Sequence, residues 1–232
     1  CPIADGGEGL TKEAIWPVAR AMCASLSGDS GMSAALTDRA RQHKLLSNLD
    51  LLLAEKIIAS TTGSQRNANI DWREAKRLNV FRIGLATASG TDIPAELFRT
   101  VGPQALAWRA TAPTLNFEQR VAAARVGAAL GMISSADLVD LYSAIAEETD
   151  SFAIASTPAG SLRKAYVEEE PGDRLDALNT LWEGDIRTRD GYAGRILTAR
   201  AAAHIKPDEE LIEHAASLIA TMLSAGLDRQ AA

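Results

Sequence analysis

The chain has 232 residues, of which 47% are apolar, 23% charged and 5% aromatic, and its formal net charge is −6. This length and composition allow a sizeable core and exclude global disorder. The acidic charge disfavours nucleic acid and anionic membranes as partners, because both are bound through clustered Lys and Arg. Alanine is abundant and valine and isoleucine are sparse, so we predict an all-α protein without a membrane-spanning segment.

Capping residues and glycines mark the predicted helices in chain order. Ser, Thr, Asp and Asn accept hydrogen bonds from the free N–H groups of a first turn, and Gly ends a helix in the left-handed conformation. After an irregular arm, "CPIADGGEG", these signals predict about eleven helices, with the two short segments around Gly102 counted as one. The predicted helices are Lys12–Leu26, Ser33–His43, Asn48–Ser60, Trp72–Ala88, Pro94–Val101, Pro103–Arg109, Phe117–Leu130, Ser135–Glu148, Ala159–Glu169, Gly172–Glu183, Arg187–His204 and Pro207–Ala225.

Two of these helices carry the most detailed signals. Ser134 followed by Asp137 resembles a capping box, and the apolar face behind it consists of Leu138, Leu141, Tyr142 and Ile145. The last helix has Pro207 and three acidic residues in its first turn, where the helix dipole favours negative charge. Its apolar stripe is so wide that we expect it to be covered on two sides.

Short helices joined by short linkers pack as antiparallel neighbours. Successive pairs of about forty residues are typical of TPR- or HEAT-like stacks, although no clean repeat is present. We therefore predict one irregular α-α superhelical domain over residues 1–232, with a globular helical bundle as the alternative. Residues 61–71 or 149–160 are candidates for a hinge. The chain is expected to be a fragment of a longer protein, since it lacks an initiator methionine and stops just after an apolar helix.

The only cysteines are Cys1 and Cys23, and three interpretations of them are open. A disulfide between them would tie the arm to the first helix, contribute roughly 3 kcal/mol and imply export. Alternatively, Cys1 is the lipidated first residue of a mature lipoprotein and Cys23 is a buried thiol. In the third interpretation both are free and Cys23 is a small core residue.

Two groups of residues are candidates for catalysis or metal binding. Ser161 and Lys164 have the S-x-x-K spacing of penicillin-recognising enzymes, but the S-D-N and K-T-G elements are missing, so a capping serine and a solvated lysine are favoured. Glu210 and His214 would share a helix face near His204, but the helix dipole alone explains a histidine at a helix end.

Paired carboxylates are the remaining chemical candidates, because glycoside hydrolysis uses two of them. Glu147 with Glu148, and Glu183 with Asp185, lie at predicted helix ends and are expected to be solvated. The run Glu168–Asp173 is interpreted as a charged turn. The sequence thus predicts no catalytic, cofactor-binding or metal-binding residue and no cofactor.

Aromatic residues are few and are spaced like core anchors, at Trp72, Phe81, Trp108, Phe117 and Trp182. The alternative is an aromatic patch on a concave face, which would mark an interaction surface.

The segments "WPVARAMCASLSGD", "FRIGLATASG", "RATAPTLNFEQRVAAA" and "GMISSADLVDLYSA" carry a resemblance over most of the chain. The chain resembles a group of functionally uncharacterised, exported, Ala- and Leu-rich helical proteins of alphaproteobacteria with a repeat-like texture. Some of them carry the label "antifreeze glycopeptide-related", which the missing Thr-rich repeat does not support. The resemblance implies a periplasmic setting, with a cytoplasmic one as the alternative, and favours pairing of Cys1 with Cys23. It implies no active-site residues.

Two functions follow as expectations. The first is a non-catalytic scaffold or adaptor of the cell envelope that binds a protein or peptide partner, and the acidic charge suits a partly basic partner. The second is a superhelical accessory domain of a peptidoglycan-processing enzyme whose catalytic domain lies outside this chain. A bundle with an apolar cavity for lipid is a third possibility.

Overall fold

The computed structural model describes residues 1–11, 13–61, 63, 69–182 and 184–232. In these ranges the chain forms fourteen α-helices, three 3-10 helices and no strand, which confirms the all-α prediction. Twelve of the α-helices contain eight or more residues, close to the eleven expected. The chain folds into two compact units. Unit 1 comprises Cys1–Val101 and Ala112–Asn116, and unit 2 comprises Gly102–Thr111 and Phe117–Ala232.

Unit 1 contains five α-helices and two 3-10 helices. The α-helices are α1 (Pro2–Leu10), α2 (Ile15–Leu26), α3 (Ser30–Gln42), α4 (Asn48–Thr61) and α5 (Val80–Ala88), and the 3-10 helices are Trp72–Glu74 and Ala95–Thr100. Helix α2 packs against α1, α3 and α4, and α4 also packs against α5. The core of this unit is therefore built around α2 and α4, with fully buried aliphatic side chains such as Leu49 and Leu53.

The N-terminal arm is a helix, and the prediction of an irregular segment is wrong. Pro2 occupies the first turn of α1, where a missing N–H is tolerated. The ring of Trp16 lies so close to Gly7 that a Cβ there would come within 2.5 Å of it. Asp5 pairs with Arg20 of α2 at 3.4 Å. Contacts with α2 thus hold a glycine-rich segment that has little helix propensity of its own.

The predicted helix Trp72–Ala88 is interrupted, because Asn79 starts a new helix inside it. The side chain of Asn79 accepts a hydrogen bond from the backbone N–H of Arg82, so α5 begins only at Val80. Arg82 in turn makes a two-pronged ion pair with the buried Asp50 of α4, at 2.7 and 2.8 Å. Ser47 donates a further hydrogen bond to the Asp50 carboxylate at 2.7 Å. This clamp fixes α5 on α4.

Unit 2 contains nine α-helices and one 3-10 helix. They are α6 (Pro103–Ala110), α7 (Phe117–Ala129), α8 (Ser135–Glu148), α9 (Ser151–Ile154), α10 (Pro158–Val167), α11 (Pro171–Leu181), α12 (Arg189–Ala202), the 3-10 helix Glu209–His214, α13 (Ala215–Ser224) and α14 (Asp228–Ala231). The sequential pairs α6/α7, α10/α11 and α12/α13 pack against each other. Helix α12 also contacts α7, α8, α10 and α11, so it forms the centre of this unit.

Two buried clusters form the core of unit 2. The first joins α6, α7, α8, α10 and α12 and includes Ala123, Leu138, Leu162 and Leu197. The second joins α10, α11, α12 and α13 around Trp182. Its indole N–H is satisfied inside the core by the hydroxyl of Thr198, 2.8 Å away. The many alanines in both clusters allow helices to pack closely, which explains the composition of the chain.

Helices α10 and α12 begin in the same way. Thr157 and Thr188 each accept a hydrogen bond from the N–H of a glycine three residues later, Gly160 and Gly191, at 3.2 and 3.1 Å. Each threonine hydroxyl also donates to the carbonyl three residues before it. A Cβ on either glycine would lie 2.0 or 2.3 Å from that same carbonyl oxygen. Only glycine therefore lets these helices start so close to the preceding turn.

The predicted C-terminal helix Pro207–Ala225 is also divided. Asp208 accepts from the N–H of Glu210, and the Leu211 N–H bonds to the Asp208 carbonyl, which is the three-residue spacing of a 3-10 turn. The α-helix proper begins at Ala215. Ile212 and Leu223 remain 73% and 50% exposed, so the expectation that the apolar stripe is covered on two sides is wrong for these positions.

The domain and hinge predictions stay predictions. Residues 62 and 64–68 of the first hinge candidate lie outside the described residues, as do the first residue of the predicted helix Lys12–Leu26 and the last residue of Gly172–Glu183. The second hinge candidate, 149–160, contains the short helix α9.

Candidate functional site

The two cysteines form a disulfide in the structure. Cys1 and Cys23 have their Cα atoms 5.6 Å apart and are separated by 22 positions in the chain. Of the three interpretations open from the sequence, the structure contains the disulfide that ties the N-terminus to the first long helix. Neither cysteine is available as a free thiol.

The S-x-x-K pair lies on α10 in a setting without a strand among the described residues. Thr157, and not Ser161, caps this helix, so the expected role of Ser161 is wrong. Lys164 is exposed, as expected. Both side chains line a shallow pocket of about 290 Å³ that also contains Asp173 and Asp176 from α11. This arrangement has no base positioned on the serine and suggests no acyl-transfer chemistry.

The histidine and glutamate residues are not arranged as metal ligands. Glu210 and His214 lie on a 3-10 helix, in which residues four apart do not share a face as they would on an α-helix. His204 packs edge-on against Tyr166, with ring centroids 5.9 Å apart. In the part of the chain that the structure describes, no group of three or more His, Cys, Asp or Glu is placed to hold a metal ion.

The two pairs of carboxylates named from the sequence differ in their surroundings. Glu147 and Glu148 are exposed in the last turn of α8, as expected. Asp185 pairs with Arg187 at 2.8 Å, and its predicted neighbour Glu183 lies outside the described residues. Hydrogen bonds from Arg187 lower the pKa of the Asp185 carboxyl. A carboxylate held ionised in this way is not suited to act as a general acid.

The aromatic side chains are less buried than the sequence indicates. Trp182 is buried in the core, but Trp108 is 49% exposed, so its interpretation as a core anchor is wrong. Trp72, Phe81 and Phe117 are half-buried. Two tyrosines of unit 2 prove more informative than these residues, because they line an open cleft.

The candidate site is this cleft between α8 and α10, which has a volume of about 520 Å³. Its lining is mainly apolar, and both helices contribute to it. The residues are Val139, Tyr142, Ser143, Ala146 and Glu147 from α8, with Ala159, Leu162, Arg163 and Tyr166 from α10. Volumes of this size are typical of ligand sites in proteins, and their apolar lining favours apolar side chains.

The floor of the cleft is rigid because its residues belong to the core. Tyr142 is 4% exposed, and its hydroxyl accepts a hydrogen bond from Nη1 of Arg125 at 3.2 Å. Arg125 is itself fixed by Asp190 of α12 at 2.6 Å. Tyr166 is half-buried, and this burial raises the pKa of its hydroxyl. The positive charge of Arg200 lowers this pKa by a smaller amount. The cleft is thus preformed by side chains that are anchored behind it.

Charged side chains stand at the two rims of the cleft. Glu147 is exposed on the α8 rim and Arg163 is exposed on the α10 rim. Neither side chain forms a hydrogen bond or an ion pair with any other residue that the structure describes. Both charges are therefore available to a binding partner.

Two other clefts in unit 2 are weaker candidates. One, of about 470 Å³, lies between α6, α7 and α8, but Arg120 is already bound there to the Ala110 carbonyl. The other, of about 460 Å³, lies at the C-terminal end of the chain beside Ile212 and Met222. The α8/α10 cleft differs from both because two tyrosines line it, the buried Tyr142 and the half-buried Tyr166, whereas no aromatic residue lines the other two.

Sequence reasoning did not find this cleft, although a signal for it was present. Val139 and Ala146 of α8 lie three and four residues from Tyr142 and widen the apolar face that Tyr142 shares with Leu138 and Leu141. An apolar face this wide extends beyond what one neighbouring helix covers.

Comparison of the chain with protein-family models, curated proteins and solved structures finds no match. The resemblance to exported helical proteins therefore stays a prediction.

Proposed function

We propose that this protein is a helical scaffold that binds a segment of a protein partner in the α8/α10 cleft. The observation that carries the proposal is a preformed, open cleft whose floor is apolar and aromatic and whose two rims bear unpaired charges. Helix grooves of this type recognise amphipathic segments through a few apolar anchors. Aromatic side chains at the centre of such a surface supply much of the binding energy.

The cleft suits a peptide better than a substrate undergoing chemistry. Catalytic sites combine a nucleophile or base with groups that orient it, at hydrogen-bond distance. In the cleft, the only hydroxyl with such a partner is that of Tyr142, and this partner is the structural Arg125. We infer that the site binds rather than reacts.

We also propose that the protein works in the periplasm or another exported setting. The Cys1–Cys23 disulfide supports this, because structural disulfides persist in oxidising compartments. None of the described helices is long and apolar enough to cross a bilayer.

The test is site-specific photocrosslinking in living cells. A photoreactive amino acid at Ser143, which is exposed in the cleft, captures the partner. The captured protein is identified by mass spectrometry, purified, and titrated against the scaffold. Ala146→Trp, which fills the cleft, is expected to reduce both crosslinking and affinity at least tenfold.

The matched control places the photoreactive group at Thr180 of α11, which lines a different pocket. Crosslinking from Thr180 is expected to yield other products or none. Undiminished binding of the purified partner to the Ala146→Trp variant would contradict the proposed site.

A further inference from the structure

Helices α8 and α10 carry charges of opposite sign. Between Ser135 and Glu148, α8 has four acidic residues and no Lys or Arg. Between Pro158 and Val167, α10 has two basic residues and no acidic one. Of these charged residues only Glu147 and Arg163 line the cleft, because Asp137 and Asp140 line the cleft between α6, α7 and α8 and Lys164 lines the pocket beside α11. The α8 wall of the cleft is therefore acidic through Glu147, and the α10 wall is basic through Arg163.

These two side chains do not neutralise each other. Both are exposed, and neither makes an ion pair or a hydrogen bond with a described residue. Elsewhere in the unit, an acid and a base within reach do pair, as Arg125 and Asp190 do at 2.6 Å. The open cleft keeps the rim charges apart, so an occupant between them would meet a negative field on one flank and a positive field on the other.

The secondary structure of the expected ligand follows from the two helices that line the cleft. The described ranges contain no strand, so an extended peptide has no sheet edge there with which it could pair. A groove between two helices instead receives the apolar face of a third helix, whose residues at i, i+3, i+4 and i+7 enter it.

We propose that the cleft selects an amphipathic helix of a partner protein whose two polar flanks carry opposite charges. Lys or Arg of this helix faces Glu147 and Asp or Glu faces Arg163, while its apolar face covers Tyr142 and Leu162. Reversing the helix in the groove would bring like charges together, so the walls also fix the direction in which it lies. This inference rests on the proposed scaffold function and specifies its partner.

The experiment uses the full chain and three model helices that share one Leu/Ala stripe. The sorted peptide has Lys on one flank and Glu on the other, the second peptide has Lys on both flanks, and the third has Glu on both. Affinities are measured by calorimetry at low salt, and the site is located from the backbone amide signals of Tyr142 and Leu162. The sorted peptide is expected to bind most tightly.

Charge reversal tests each wall separately. Glu147→Lys makes both walls basic and is expected to shift the preference to the all-Glu peptide. Arg163→Glu makes both acidic and shifts it to the all-Lys peptide. Each reversal exchanges an attraction for a repulsion, so the affinity for the sorted peptide falls about tenfold, and 0.5 M salt removes most of the difference. A gain for one peptide cannot arise from misfolding.

Neighbouring residues provide matched controls. Glu148→Lys and Lys164→Glu make the same charge changes one residue away, at positions that do not line the cleft. Both variants are expected to keep the preference for the sorted peptide. Equal shifts in these controls, or equal affinities of the three peptides, would overturn the charge-sorting inference and leave the scaffold function standing.

The direction of binding has its own readout. A nitroxide at one end of the sorted peptide is expected to broaden the amide signal of Val139 more than that of Ala146, and a nitroxide at the other end is expected to reverse this order. The same order of broadening from both labels, or equal broadening of the two signals, would refute a fixed direction. If none of the peptides perturbs the signals of the cleft, the proposed function fails together with this inference.

Discussion

The disulfide makes the most specific prediction about stability, because it is the covalent link between α1 and α2, which otherwise meet through the ring of Trp16 and one ion pair. The helix has nine residues and includes three glycines, so it is too short and too flexible to persist alone. Its ion pair between Asp5 and Arg20 is largely exposed and contributes at most about 1 kcal/mol. Breaking the covalent link is therefore expected to release α1 from α2.

The magnitude follows from the length of the closed loop. With Cys1 and Cys23 separated by 22 positions, the chain-entropy estimate gives about 3 kcal/mol. The double variant Cys1→Ser/Cys23→Ser should lower the free energy of unfolding of unit 1 by about this amount, while unit 2 keeps its stability. Urea titration followed by tryptophan fluorescence measures the change.

Hydrogen exchange separates local release from global destabilisation. The amides of α1 are expected to lose their protection in the double variant, whereas those of α4 stay protected and lose only the roughly 3 kcal/mol by which the unfolding of unit 1 becomes easier. Adding reductant to the natural chain should reproduce the effect and should not alter the double variant. An unchanged urea midpoint with full protection of α1 would show that the noncovalent contacts suffice, and would refute the reasoning.

Three further predictions concern the stability of the two units. Arg82→Ala leaves the buried carboxylate of Asp50 without its cation and should lower the free energy of unfolding, measured by urea titration, by about 3–5 kcal/mol. Arg82→Lys should lower it less, and a loss below about 1 kcal/mol for Arg82→Ala would contradict the importance of this ion pair. Gly160→Ala forces a Cβ against the carbonyl oxygen of Ile154 and should lower the free energy of unfolding by about 1–3 kcal/mol or more. The control Gly172→Ala, whose Cβ meets nothing within 4 Å, should be neutral or slightly stabilising. Equal melting temperatures of the two variants would refute the close approach. Burial raises the pKa of the Tyr166 hydroxyl, so the folded state keeps this proton to a higher pH than the unfolded state does. The resulting contribution to the free energy of unfolding is fully present below about pH 10 and is lost as the pH rises through the folded pKa. Absorbance at alkaline pH measures the titration, Tyr166→Phe is expected to lose less stability at alkaline pH than the natural chain, and an equal loss in both proteins would count against this reasoning.

Helix positions were predictable from the sequence where capping was local. Helix α8 has the predicted bounds, Ser135–Glu148, and its capping box between Ser134 and Asp137 is present. The signal succeeded because both partners lie within one turn of the chain.

The failures arise where tertiary contacts decide. Helix α1 has poor propensity and forms on the surface of α2, through the disulfide and the ring of Trp16, neither of which a local pattern encodes. The start of α5 is an exception, because the Asn79 cap inside the predicted helix Trp72–Ala88 is a local signal. The site was missed because a cleft is an unfilled space between α8 and α10, whereas periodicity reports only which residues are apolar.

The floor of the cleft and the core of unit 2 share the same side chains, among them Tyr142, Ala159 and Leu162. Any ligand that covers them binds the native fold alone and so delays thermal denaturation. At a hundred times its dissociation constant, such a ligand adds about 2.7 kcal/mol, which corresponds to a rise of several degrees in melting temperature. Dye-based melting curves recorded across a library of helical segments would thus rank candidate ligands without any assay of activity.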